Sequence, residues 1–132
     1  MSAVQIILTQ KDYSKLKEIK PCHRGDNYKR LEEEMEHAKI IAEHDIPKDV
    51  VTMNSKVGIL IIEEDKKIGL TLVYPSEADF FQNKISVLAP LGLALLGLKI
   101  NQEINWKFPD GLNKTLRILD VQQLPATKVH VH

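Results

Sequence analysis

The stretch from Ile85 to Leu98, Ile-Ser-Val-Leu-Ala-Pro-Leu-Gly-Leu-Ala-Leu-Leu-Gly-Leu, constrains the fold more than any other part of the chain. A strand-like run passes through Pro90 into about two turns of apolar helix, and Gly97 stops it. Proline suits the first helical position, where its missing N–H has no partner to lose and its φ is already near helical. Glycine readily takes the left-handed conformation that closes a helix. The Leu and Ala residues between them leave no polar face, so the helix must be largely covered by protein. At about 12 apolar-rich residues the segment is too short to span a bilayer. It reads as a core or docking helix.

The hydrophobic period divides the rest of the chain in two at Pro47. Residues 1–46 read as an antiparallel helical hairpin, a short coiled coil. Thr9, with Asp12 three residues later, marks the start of a helix over about Gln10 to Lys20, with Tyr13, Leu16 and either Ile19 or Lys20 on its inner stripe. Pro21 to Asp26 supplies turn chemistry. A second helix from about Asn27 to His44 places Tyr28, Leu31, Met35, Ala38 and Ala42 at alternating spacings of 3 and 4, a heptad-like seam. Beyond Pro47 the period becomes 2. Val50–Met53, Val57–Glu63, Ile68–Tyr74, Glu103–Phe108 and Thr115–Gln122 read as strands. Glu64 to Lys67 forms a polar hairpin connection and Pro109-Asp110-Gly111 a turn. Strands with one short helix make residues 47–132 an α+β domain.

Charge bears on partners. The chain carries 18 Lys and Arg against 18 Asp and Glu. Residues 1–46 hold 8 against 9, and residues 47–132 hold 10 against 9. Neither part has the basic excess that phosphate-backbone binding requires, so direct nucleic-acid binding is not expected. A single cysteine, Cys22, forms no intrachain disulfide and suits a reducing compartment. The first residues lack the charged region and apolar length of a signal peptide, and no membrane span is visible. These features lead to an expected cytoplasmic location.

Three further segments surround the central run in order: Asp49-Val-Val-Thr-Met-Asn-Ser55, Leu72-Val-Tyr-Pro-Ser-Glu-Ala-Asp79 and Trp106-Lys-Phe-Pro-Asp-Gly111. With their spacings, residues 46 to 124 resemble the carboxy-terminal domain of the GreA/GreB transcription elongation factors. They resemble most the Rnk branch of that family, the short regulators of nucleoside diphosphate kinase. The resemblance implies an FKBP-like fold, a twisted antiparallel sheet around a short helix. It implies bacterial RNA polymerase as partner, bound near the secondary channel, in competition with GreA/GreB-type factors. Regulation of a nucleoside diphosphate kinase is implied by the branch name. In Gre factors the segment before the short helix docks on the channel rim and carries an acid and a serine ahead of its proline. Here those positions are Leu88 and Ala89, as in the Rnk branch, so the implied docking residues are Leu88, Ala89, Pro90 and Leu93.

Gre factors also carry a long hairpin whose tip acids hold a metal ion and promote transcript hydrolysis, chemistry that suits hard carboxylate oxygens. The corresponding tip here contains Arg24 and Asp26, with Asp26 its only acid, while Glu32 to Glu36 lie further along the second helix. At roughly 18 residues and 1.5 Å each, that helix would be about 27 Å long. One acid on a short arm is poorly built to chelate, so the expected role is regulation of elongation without catalysis. Two alternatives stand beside it: cleavage stimulation through Asp26, and a polymerase-independent interaction module.

Other chemistry finds little support. His23, His37, His44, His130 and His132 match no metal-ligand spacing, and no metal or cofactor is expected. Cys22 has no argued catalytic partner and reads as an accessible thiol. Leu91 to Gly97 lacks the Lys-Ser/Thr ending of a phosphate loop. The FKBP-like fold raises prolyl isomerisation, but Trp106 and Phe108 alternate with Lys107 and so face inward from one strand.

Overall fold

The computed structural model describes residues 6–19, 25–108 and 110–123. Cys22, His23, Arg24, His130 and His132 lie outside the described residues.

The chain opens with a strand, β1 (Ile7–Thr9), that runs straight into helix α1 (Gln10–Lys17). Thr9 caps the helix: its Oγ1 accepts the Asp12 N–H at 3.0 Å, which satisfies one of the amide groups a helix start leaves without a partner. Helix α2 (Asp26–Glu36) buries Tyr28, Leu31 and Met35 at the expected 3 and 4 spacing.

The second helix is shorter than the sequence suggested. It ends at Glu36, not His44, and Lys39–Ile41 form a strand, β2, paired in parallel with β1. Two causes combine. The Lys-Ile-Ile run is β-branched and suits an extended backbone, and Ile7-Leu8-Thr9 offers it a ladder. The 3-and-4 spacing of Ala38 and Ala42 continued the seam on paper only. Ala38 follows the helix, and Ala42 precedes a single 3₁₀ turn (Glu43–Asp45).

Beyond Pro47 a five-stranded sheet contains β3 (Ser55–Ile61), β4 (Lys66–Val73), β5 (Lys84–Ser86), β6 (Glu103–Lys107) and β7 (Asn113–Gln123), in the order β5-β4-β3-β7-β6. All neighbours are antiparallel except β4 and β5. The expected strand at Val50–Met53 is not one of them. Its backbone instead bonds to the segment after the short helix: Val51 N–H donates to Leu98 O at 2.8 Å and Gly97 N–H to Val51 O at 2.9 Å. Asn54, in the left-handed region at φ 67°, turns the chain into β3.

The strands alternate as period 2 requires. In β3, Ser55, Val57, Ile59 and Ile61 are buried and Lys56 is exposed. In β6, Ile104 and Trp106 pack half-buried against the core while Glu103, Asn105 and Lys107 face water. Each fully buried Val, Leu or Ile contributes about 1.5–3 kcal/mol relative to exposure. Helix α3 (Pro90–Leu95) begins at Pro90, and Gly97 follows it with φ 85°. Gly92 lets it lie close to β5: a Cβ there would sit 2.0 Å from Ser86 O.

Both sides of Pro47 contribute to one hydrophobic cluster, in which Ile6, Leu16 and Leu31 join Val51, Met53 and Leu96.

Candidate functional site

Strand β5 delivers the chain to Val87, which is fully buried and donates its N–H to Val73 O at 2.9 Å. The next three residues, Leu88, Ala89 and Pro90, bend around Ser86. The Leu88 N–H donates to Ser86 Oγ and the Ala89 N–H to Ser86 O, both at 3.0 Å. From the other side, Asn27 on α2 donates its Nδ2–H to Leu88 O at 2.8 Å. The segment is thus held at both of its amides and at a carbonyl, a pre-organised loop.

Leu88 and Ala89 are half-buried and Pro90 is exposed. Leu93 is 8% exposed and belongs to the core, since α3 turns that face inward. Of the four residues implied as a docking set, three stay accessible. Asn27 and Ser86 are the members that sequence reasoning missed. Asn27 lies 61 positions from Leu88, and nothing in the local pattern marks such a brace.

Asp26 is the first residue of α2 and is exposed, where its charge complements the positive end of the helix. Glu32, Glu33 and Glu36 are exposed along the same helix. Among the described residues, no group of three or more His, Cys, Asp or Glu side chains is placed to hold a metal ion. His37 Nδ1 lies 2.9 Å from Glu33 O, a local helix contact. No described helix is long and apolar enough to cross a membrane.

Among the described residues, the buried acid is Asp12. It is 9% exposed, and its carboxylate accepts the Met53 N–H at 3.1 Å and the Tyr74 hydroxyl at 3.3 Å. Burial raises its pKa above the ordinary value, against the opposing pull of the hydrogen bonds from Met53, Tyr74 and Thr9. Burial likewise pushes the Tyr74 hydroxyl up, and the neighbouring Asp12 charge adds to the effect. Lys15 lies 5.2 Å from the centre of the Tyr74 ring. These contacts tie α1 to the segment before β3 and to the end of β4. The Thr9 cap is as the sequence suggested; what no local pattern marks is that the Asp12 side chain also reaches Met53, 41 residues away.

Residues 46–123 match the family model described as "Transcription elongation factor, GreA/GreB, C-term". The chain is 36% identical over 95 residues to the regulator of nucleoside diphosphate kinase of Escherichia coli K12, covering 72% of this chain and 70% of that protein. It is 37% identical over 94 residues to transcription elongation factor GreA of Clostridium botulinum Alaska E43, which covers 71% of this chain but 58% of that factor. Among solved structures, the GreA/GreB factor from Nitrosomonas europaea superposes with a TM-score of 0.79 at 36% identity, covering 90% of this chain and 98% of that one. The chain belongs to the GreA/GreB transcription elongation factor family.

Proposed function

We propose that this protein is a Rnk-type transcription regulator that binds RNA polymerase near its secondary channel and modulates elongation without cleaving the transcript. In this reading the sheet domain, residues 47–132, is FKBP-like and docks through Leu88, Ala89 and Pro90. Residues 1–46 form the arm, whose tip holds Arg24 and Asp26. The reading of a small regulator of nucleoside diphosphate kinase attaches to the same relatedness.

The observation that carries the non-cleaving part is the length of α2. Eleven residues at 1.5 Å each give about 16 Å, shorter than the 27 Å inferred from sequence. The Gre-type hairpin implied by family resemblance is considerably longer. A short arm whose tip carries one acid, Asp26, with the exposed Glu32, Glu33 and Glu36 set back along the helix, supports occupancy of the channel entrance rather than delivery of a chelating pair to the active centre. Regulation then works by exclusion: a bound short-armed protein denies the site to a longer-armed factor.

Backtracked elongation complexes test this. Added alone, the protein should leave cleavage at the polymerase's intrinsic rate. Added with a GreA-type factor, it should suppress stimulated cleavage as its concentration rises. Stimulated cleavage by the protein itself, abolished by Asp26→Asn, would establish the catalytic alternative instead. No effect on the GreA-type factor would point to a module that acts away from polymerase.

A further inference from the structure

Phe80 and Phe81 are 87% and 94% exposed, far beyond any other large apolar side chain among the described residues. Their rings meet edge to face, with centroids 5.8 Å apart. The turn that carries them is closely built. Asp79 and Lys84 exchange both backbone hydrogen bonds, at 3.0 and 2.9 Å. Inside that closure the Gln82 N–H donates to Asp79 O, the Asn83 N–H to Phe80 O, and the Phe81 N–H to the Asp79 carboxylate at 3.0 Å. Asn83 takes the left-handed conformation, φ 57°, that the turn needs. A closed, bonded turn that displays two adjacent aromatic rings is an anchor whose ordering cost is largely met before binding.

The geometry points to this aromatic knob as a second anchor on the polymerase surface that receives Leu88–Pro90. The inference rests on the docking reading above. Two observations select that partner. The first is area: two such rings present on the order of 350 Å², less than half of the roughly 800 Å² per partner in a stable protein interface. The knob is therefore too small to hold a second copy of this chain alone, and extends a larger contact. The second is continuity. β5, three residues long, is all that separates the knob from the turn leading to Leu88. From Phe81 to Leu88 the chain spans at most about 25 Å, well within one interface. β5 is laddered to β4 from Lys84 to Ser86, which fixes the separation between the knob at one end of the strand and the loop at the other.

Affinity for core RNA polymerase should be measured for the parent, for Phe80→Ser/Phe81→Ser, for Phe81→Ser alone and for Leu88→Asp. Sedimentation velocity of the parent and the double variant should accompany it. Because both rings stand in water, the double variant should melt within a few degrees of the parent. If it does not, Phe81→Ser alone decides. The expected result is binding at least about tenfold weaker for the knob variants. Parent-like binding by the folded knob variants, with affinity altered by Leu88→Asp, overturns the knob and leaves the docking loop standing. Weakened binding by the knob variants alone supports the knob and removes Leu88 from the contact. Self-association lost in the double variant, with polymerase affinity unchanged, assigns the knob to a second copy and overturns the inference. A parent that does not bind polymerase removes the docking reading and the knob together.

Discussion

Replacing Asp12 by alanine should destabilise the protein by about 2–3 kcal/mol. The carboxylate is the acceptor for the Met53 N–H, and the substitution leaves that amide without its partner in a buried setting. An orphaned buried donor costs about 1–3 kcal/mol. The Tyr74 hydroxyl loses a longer bond but is only half-buried and can turn to water, so it adds about 0.5–1 kcal/mol. Against this stands relief from burying a carboxylate, which trims the sum. In a chain of this size the loss lowers Tm by about 10 °C. Asp12→Asn keeps one acceptor oxygen and removes the charge, so its cost should be nearer 1 kcal/mol. Thermal unfolding followed by circular dichroism across pH 4–8 makes the comparison. Burial raises the Asp12 pKa above 3.8 in the folded protein, so the folded state holds this proton more tightly than the unfolded chain. The stability tied to that proton is complete below the unfolded value and is lost as pH rises through the folded one. The parent should therefore lose ground relative to Asp12→Asn as pH rises from 4, and the difference between them should then stay constant. A parent that gains on Asp12→Asn with rising pH, or an Asp12→Ala protein as stable as the parent, would rule out this role for Asp12.

Gly92→Ala should cost about 3 kcal/mol or more in urea denaturation, because the new Cβ meets the Ser86 backbone oxygen, which has no side-chain freedom to yield. Gly69→Ala, with nothing within 4 Å of its new Cβ, is the control and should stay within about 0.5 kcal/mol of the parent. Leu93→Asp should unfold the protein, since it places a charge in the core, whereas Leu88→Asp should remain folded by circular dichroism. A fragment of residues 47–132 should still show a cooperative thermal transition, at a lower temperature than the full chain, because the fragment lacks the Asp12 acceptor and the apolar cover from Ile6, Leu16 and Leu31; a melt without cooperativity would place the folding unit across Pro47.

The sequence was most readable where a local signal and the tertiary environment agree. Pro90 and Gly97 bracket α3 as their backbone preferences require, and the alternation at Ile104, Trp106 and Phe108 points to the core. It misled where a spacing admitted two structures. Ala38 and Ala42 fit a helical seam, but Lys39-Ile40-Ile41 found a strand partner in Ile7-Leu8-Thr9, and a parallel pairing across 32 residues leaves no local mark. Val50–Met53 has strand composition, yet its amides bond to the segment beyond α3. In the candidate site, the Leu88–Pro90 segment was visible through family resemblance. Its brace from Asn27 and the inward turn of Leu93 depend on how α2 and α3 pack. The exposed pair at Phe80 and Phe81 ran against composition altogether, because adjacent aromatics ordinarily signal burial.

On the proposed reading, this family member occupies the polymerase site used by longer-armed GreA-type factors. Equilibrium binding of the labelled protein to core RNA polymerase, titrated with an unlabelled GreA-type factor, tests it directly. Saturable binding of the parent and its full displacement by the competitor are expected. Saturable binding that the competitor leaves untouched would contradict the shared site, and no binding at all would contradict the polymerase as partner.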